Sequence, residues 1–146
     1  MSQRLSITET APEVYQALNA ADQAVRGGPL GATVRELVKI RASQLNGCAY
    51  CVDLHTGDAR KKGETERRLY AVSVWRETPF FTARERAALA WTEAVTLIST
   101  SRASDADYEL MCAEFDDKER VDLTMAIATI NAWNRLAIAF RKMPTV

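Results

Sequence analysis

Apolar side chains in this chain recur every three to four residues, and no stretch alternates long enough to make a convincing strand. That pattern restricts the fold to packed helices, because a helix buries i, i+3, i+4 and i+7 whereas a half-buried strand buries every second residue. Val14, Leu18, Ala21 and Val25 set the first rhythm over about 10 to 26, and GGPLG at 27 to 31 stops it. Thr33 and Glu36 have capping-box spacing, and Val34, Leu37, Val38, Ile40 and Leu45 then give a mostly amphipathic helix ending at Gly47. A third helix runs from Cys48 to KKG at 61 to 63, where basic residues and a glycine suit a C-terminus.

A shorter helix over about 64 to 75 ends in the loop RETPFF. Thr82 with Glu85 forms a second capping-box pattern and opens a helix rich in Ala, Leu and Trp, apolar around much of its later half and therefore central. Ser104 with Asp107 opens another through Glu114, and the last runs from about Asp117 to Arg141. Short loops and the lack of an internal repeat make this an all-α protein: one compact single-domain helical bundle of six to seven helices over residues 1–146. A chain of this length buries roughly 68–70% of its unfolded surface, so the core needs neither metal nor disulfide. Two of the helices carry more apolar surface than so small a bundle hides, which predicts a homo-oligomer.

Nineteen basic residues balance nineteen acidic ones, leaving no field to gather phosphates, so no nucleic-acid partner is expected. The cluster Arg60, Lys61, Lys62, Arg67 and Arg68 is broken by Glu64 and Glu66 and reads as a solvated helix face. MSQRLSITETAPEVYQ lacks the apolar core of a secretory signal, and no window is apolar enough to span a membrane, so a cytoplasmic location is expected. In such a reducing compartment three cysteines stay thiols unless a pair is catalytic.

NGCAYCVDLH, residues 46 to 55, holds Cys48, Cys51 and the only histidine, His55. On a helix the three project within about 60° of one another, with Cys51 and His55 at i, i+4. Both cysteines start a helix, whose free N–H groups and dipole favour a thiolate. The ordinary thiol pKa of about 8.5 falls beside such a terminus or a protonated imidazole. A thiolate that attacks an oxidant becomes a sulfenic acid, and a second thiol can condense with it to a disulfide. Protons must then move, and Glu36 on the preceding helix is the candidate acid beside His55.

Zinc fits poorly, since a structural site takes four ligands and Cys112 stands alone. A thioredoxin-like CxxC follows a strand, and here a helix precedes it. A buried, purely structural cysteine pair stays open at this point. Asn131, Trp133, Asn134 and Arg135 read as hydrogen-bonding residues in an apolar helix, Trp75, Phe80 and Phe81 as core, and Cys112 as a buried bystander.

The spacing of Glu36, eleven residues, Cys48-Ala-Tyr-Cys51, three residues and His55 resembles the signature of the AhpD-like alkylhydroperoxidases in the carboxymuconolactone decarboxylase superfamily. RASQLNGCAYC, FTARERAALAWTEAVT and INAWNRLAIAFR extend the resemblance over about residues 30 to 142. It implies an AhpD-like helical fold assembling as trimers or hexamers, and an antioxidant peroxidase that needs no cofactor. It further implies Cys51 as the peroxidatic thiol, Cys48 as its resolving partner in a disulfide, and His55 with Glu36 as the proton relay. A hydroperoxide would be the substrate, and a lipoyl-bearing protein or another dithiol the electron donor. Tyr50 departs from the pattern by standing where the resemblance expects a second histidine, and a phenol titrating near pH 10 is a poorer shuttle at neutrality. The helix dipole favours Cys48 as nucleophile; the i, i+4 contact and the resemblance favour Cys51. The alternatives are a general thiol-disulfide oxidoreductase and a non-catalytic, oligomeric redox-sensing or binding protein.

Overall fold

The computed structural model describes residues 2 to 145, which form α-helices, one 3-10 segment and no strand. The helices are α1 (Ile7–Thr10), α2 (Pro12–Arg26), α3 (Ala32–Asn46), α4 (Ala49–Lys61), α5 (Glu66–Ala71), α6 (Ala83–Thr96), α7 (Ile98–Ser101), α8 (Asp105–Glu114) and α9 (Asp117–Ala139), and the 3-10 segment Val72–Glu77 follows α5. Seven of them are the helices expected from periodicity, caps and breakers, although the one expected over about 64 to 75 is α-helical only to Ala71 before it tightens into the 3-10 segment. The two additions, α1 and α7, are single turns of four residues, too short to display a period.

Local chemistry sets most of the boundaries. The Thr82 hydroxyl accepts from Glu85 N while the Glu85 carboxylate accepts from Thr82 N, so the expected capping box is complete. Ser104 caps α8 by accepting from Asp107 N, and Asp116 with Glu119 forms a further box at the start of α9. The Thr33–Glu36 box does not form. Helix α3 begins earlier, after Gly31 at φ 84°, and Glu36 turns its carboxylate into the protein instead.

Helix α3 is the axis of the fold, packing against α4, α6, α9 and the 3-10 segment. It is not the amphipathic helix its sequence suggests, because every residue from Glu36 to Ile40 is buried. Val34 and Val38 join a core with Trp91, Met111, Leu123 and Ile127. Leu37 and Ile40 join a second with Leu69, Trp75, Phe81 and Leu89. Each of these large side chains contributes roughly 1.5–3 kcal/mol by leaving water. Ala42 joins a third cluster with Cys48, Cys51, Ile130 and Ala137, so the cysteine pair sits against the axis rather than at the periphery.

Helix α3 also carries a polar stripe, Glu36, Lys39, Ser43 and Asn46, at i, i+3, i+7 and i+10. Each member has a partner on another helix. Glu36 meets His55 of α4, Lys39 meets Asp22 of α2, Ser43 meets Asn134 of α9, and Asn46 meets both Asn131 and Asn134. The stripe locks the helices around the cysteine pair in register. The hydrogen-bonding roles read for Asn131 and Asn134 are thereby realised within the fold, and Trp75 and Phe81 lie in the core as expected.

Candidate redox site

Gly47, at φ 73° and ψ 31°, ends α3 in the left-handed region that only glycine adopts freely, and the chain reverses into α4. The reversal is fixed by Cys48 N donating to Ser43 O at 3.0 Å. Cys48 then occupies the N-cap of α4, its Sγ accepting from Cys51 N at 3.3 Å. The two sulfurs lie within bonding distance, with Cα atoms 5.3 Å apart, in the range that disulfides take. The helix terminus that sequence reading assigned to this pair is therefore where both cysteines sit.

The two sulfurs face different surroundings. Both belong to the third core cluster and are buried, and of the two only Cys51 lines a cavity of about 350 Å³, together with His55. Helix α9 supplies Ile130, Trp133 and Leu136 to the walls, and α2 supplies Tyr15, whose ring stands 5.2 Å from that of Trp133. Tyr50 also lines this cavity, with the Lys142 ammonium 4.3 Å above its ring. Leu5 and Ile7 close the cavity from the N-terminal side, where Arg4 N donates to Phe140 O at 2.9 Å and its guanidinium to Ala139 O at 3.0 Å. Trp75, Phe80 and Phe81 take no part in these walls.

His55 and Glu36 come together across the α3–α4 hairpin, with Nδ1 3.0 Å from Oε2 and both side chains buried. Burial alone raises the Glu36 carboxyl, but hydrogen bonds and charge from His55 and Lys62 outweigh it and lower its pKa from 4.5 to about 2. Glu36 is therefore an anion at neutral pH, able only to accept, and Nδ1 must carry the proton it receives. This fixes the neutral imidazole as the tautomer whose Nε2 is free to take a proton.

Lys62 is the site residue that sequence reading missed. It lies in the basic run read as a solvated face, yet its Nζ donates to Glu36 Oε1 at 2.5 Å. The buried pair Lys39 and Asp22, 2.6 Å apart on the wall of the Cys51 cavity, was missed as well. The i, i+3, i+7, i+10 polar stripe on α3 is the pattern that carried this information. Cys112 is a free thiol, half-buried rather than buried, and stands apart from the site.

Fold and site together define an all-helical protein built around a CxxC pair, and residues 12 to 94 match the carboxymuconolactone decarboxylase family, to which this chain belongs. The chain is 45% identical over 139 residues to the uncharacterized protein YdfG of Bacillus subtilis, with 95% of each covered. It is similar, at 41% identity and a TM-score of 0.96 over 99% of both chains, to a crystal structure from Agrobacterium tumefaciens of a protein of unknown function proposed to be the antioxidant defence protein AhpD. An uncharacterized peroxidase-related protein from Silicibacter shares 25% identity and a TM-score of 0.82, over 92% of this chain and 72% of that one. The AhpD-like helical fold expected from the motif is the fold observed. None of the helices is long and apolar enough to cross a membrane, among the described residues.

Proposed function

We propose that this protein is a cysteine-dependent peroxidase that reduces hydroperoxides through a Cys48–Cys51 dithiol/disulfide cycle. The observation that carries the reading is an asymmetry in the cavity lining: Cys51 borders the cavity together with His55, and Cys48, buried like Cys51, does not. That asymmetry favours Cys51 as the nucleophile over Cys48, in spite of the dipole.

In the proposed reaction His55 Nε2 takes the Cys51 proton, and Glu36 stabilises the imidazolium from the Nδ1 side. The thiolate attacks the terminal peroxide oxygen. An S–O bond forms, the O–O bond breaks, and the leaving alkoxide takes the proton from His55 to depart as an alcohol. Cys51 is left as a sulfenic acid, oxidised by two electrons. The Cys48 thiol condenses with it, releasing water and forming the disulfide. A dithiol donor, lipoyl-bearing or other, returns two electrons and two protons by thiol-disulfide exchange and is itself oxidised to a disulfide.

Tyr15, Leu54, Ile130, Trp133 and Leu136 give the walls an apolar part, beside the Lys39–Asp22 pair, that suits the organic group of a hydroperoxide. Assembly as a homo-oligomer belongs to the same reading. Leu110 at 58% and Val121 at 64% exposure leave apolar surface on α8 and α9 that a second copy can cover. The test is cumene hydroperoxide consumption coupled to dihydrolipoamide and its reductase, with Cys51→Ser as the control. Turnover that Cys51→Ser abolishes supports the proposal. Thiol-disulfide exchange without peroxide consumption would replace it with a general oxidoreductase.

A further inference from the structure

Glu36 separates two cavities. On one side lies the chamber lined by Cys51 and His55, and Glu36 and Lys62 contribute nothing to its walls. On the other lies a chamber of about 280 Å³ lined by Glu36, Lys62, Thr33, Gly63, Arg68 and Glu85, to which Cys51 and His55 contribute nothing. The carboxylate bridges the partition, Oε2 on His55 Nδ1 at 3.0 Å and Oε1 on Lys62 Nζ at 2.5 Å.

Lys62 reaches this position through the ending of α4. Lys62 N bonds back to Ala59 O at 3.1 Å, and Gly63, at φ 94°, turns the chain so that Glu64 N also returns to Ala59 O at 3.0 Å. That turn lays the Lys62 side chain over the start of α3. The Lys62 side chain is 41% exposed while that of Glu36 is 6% exposed, so Lys62 is the solvent-facing end of an otherwise buried array.

We propose that Lys62 is a positioning residue of the relay: its ammonium, anchored from the second cavity, holds the Glu36 carboxylate in place and limits how strongly that carboxylate favours a proton on His55. The inference rests on the reading of Cys51, His55 and Glu36 as the reactive centre. A cation behind the carboxylate offsets part of the negative charge that faces the imidazole. With the cation removed, the anion acts on His55 undiluted, and the imidazole protonates at higher pH. A base that is already protonated cannot take the Cys51 proton, so turnover at the acidic end suffers first.

The other charges around the array have their own partners. In the second cavity Arg68 is engaged by Glu64 and Glu85. On α4, Asp58 pairs with Lys61. Facing the first cavity, Asp22 holds both Lys39 and Arg26, and Lys142 stands over Tyr50. Lys62 is thus the cation placed to act on Glu36.

His55 is the only histidine, so its imidazole titration is read by NMR from a single residue. In the reduced protein, Lys62→Met is expected to move that titration upward, and Lys62→Arg to return it to the parent position. In the Glu36→Gln background the Lys62→Met displacement should largely disappear, because the carboxylate that transmits it is gone. The acidic limb of the pH dependence of kcat/KM for cumene hydroperoxide should move upward with Lys62→Met. An unmoved imidazole titration in Lys62→Met, or an equal displacement in Lys62→Arg, overturns the proposal. The titration needs no turnover, so a parent protein inactive toward peroxides defeats the peroxidase reading while this one still stands or falls on the imidazole. Far-UV circular dichroism confirms that each variant is folded before it is titrated.

Discussion

Asn134 of α9 and Ser43 of α3, 91 residues apart in the chain, meet in the interior with the Asn134 amide donating to Ser43 Oγ at 3.0 Å, both side chains wholly inaccessible to solvent. Asn134 Oδ1 also accepts from Asn46 Nδ2 at 2.9 Å, and Ser43 O holds the Cys48 amide. The contact braces the turn that carries the cysteines. Asn134→Ala leaves two polar partners without it and should cost about 2–3 kcal/mol. Urea denaturation of parent and variant checks this, and an unchanged midpoint would show that the brace is not structural.

The two cysteines should differ when replaced singly. Cys51→Ser is expected to abolish reaction with peroxide. Cys48→Ser should still react once and accumulate a sulfenic acid that dimedone traps, seen as a mass increment on intact protein. A dimedone adduct on Cys48 in the Cys51→Ser variant would reverse the assignment of nucleophile and resolving thiol.

Lys39 and Asp22 form a buried pair, and removing Lys39 leaves the Asp22 carboxylate in the wall of the cavity with only the half-exposed Arg26, 3.4 Å away, for a counter-charge. Lys39→Met alone should destabilise the protein by about 3 kcal/mol. Combining it with Asp22→Leu should recover much of that loss, since the apolar pair leaves no buried charge, and Arg26, which loses its partner, is half-exposed and solvated. Thermal unfolding of the single and double variants gives the comparison, and additive losses would argue against the pair acting as a unit.

Acid should weaken the fold through Glu36. Its pKa is about 2 in the folded chain against 4.5 ordinarily, so the unfolded chain binds the proton more readily. The stabilisation is present above the unfolded value and disappears as pH falls from about 5 toward 2. Its scale is on the order of 2 kcal/mol once screening at the half-exposed Lys62 is allowed for. Burial opposes ionisation at Glu85 and Glu93, yet Arg68 on the first and Arg76, Trp75 and Arg41 on the second still lower their carboxyls, while Arg84 lowers Glu119. All four act in the same direction. Glu36→Gln should flatten the loss of stability across this window, measured by denaturant midpoints at stepped pH.

The exposed apolar side chains of α8 and α9 predict self-association. Light scattering coupled to size exclusion should give a mass several times 16.2 kDa, and Val121→Glu should lower it. A monomeric parent protein would remove the oligomer from the functional reading.

Periodicity marked helices that bury a face, and caps marked others such as α8, which buries Met111 alone, because pairs like Thr82 with Glu85 or Ser104 with Asp107 are written within four residues. Partners distant in sequence leave no such local mark. Thr33 and Glu36 have the spacing of a cap, but the carboxylate is claimed by His55 and Lys62, 19 and 26 residues further on. Burial of Lys39 beneath α2 is equally invisible, because a lysine in a helix is ordinarily solvated until an aspartate comes to meet it. The motif marked Cys48, Cys51, His55 and Glu36 as a set, and the fold supplied what a motif does not carry, which of the two cysteines borders the cavity.

The segment that closes the Cys51 cavity is built unlike its walls. Residues 2 to 10 contain no fully buried side chain, Leu5 is 41% exposed, and Arg4 ties the segment to the end of α9. Helix α3, which backs the same chamber, is buried along its middle. Local opening follows the weaker attachment, so amide hydrogens before Pro12 should exchange long before those of α3. The enclosure is then rigid on the side that orients Cys51 and His55 and yielding on the side facing solvent, so that displacing a few N-terminal residues would widen the cavity with the α3–α4 hairpin undisturbed.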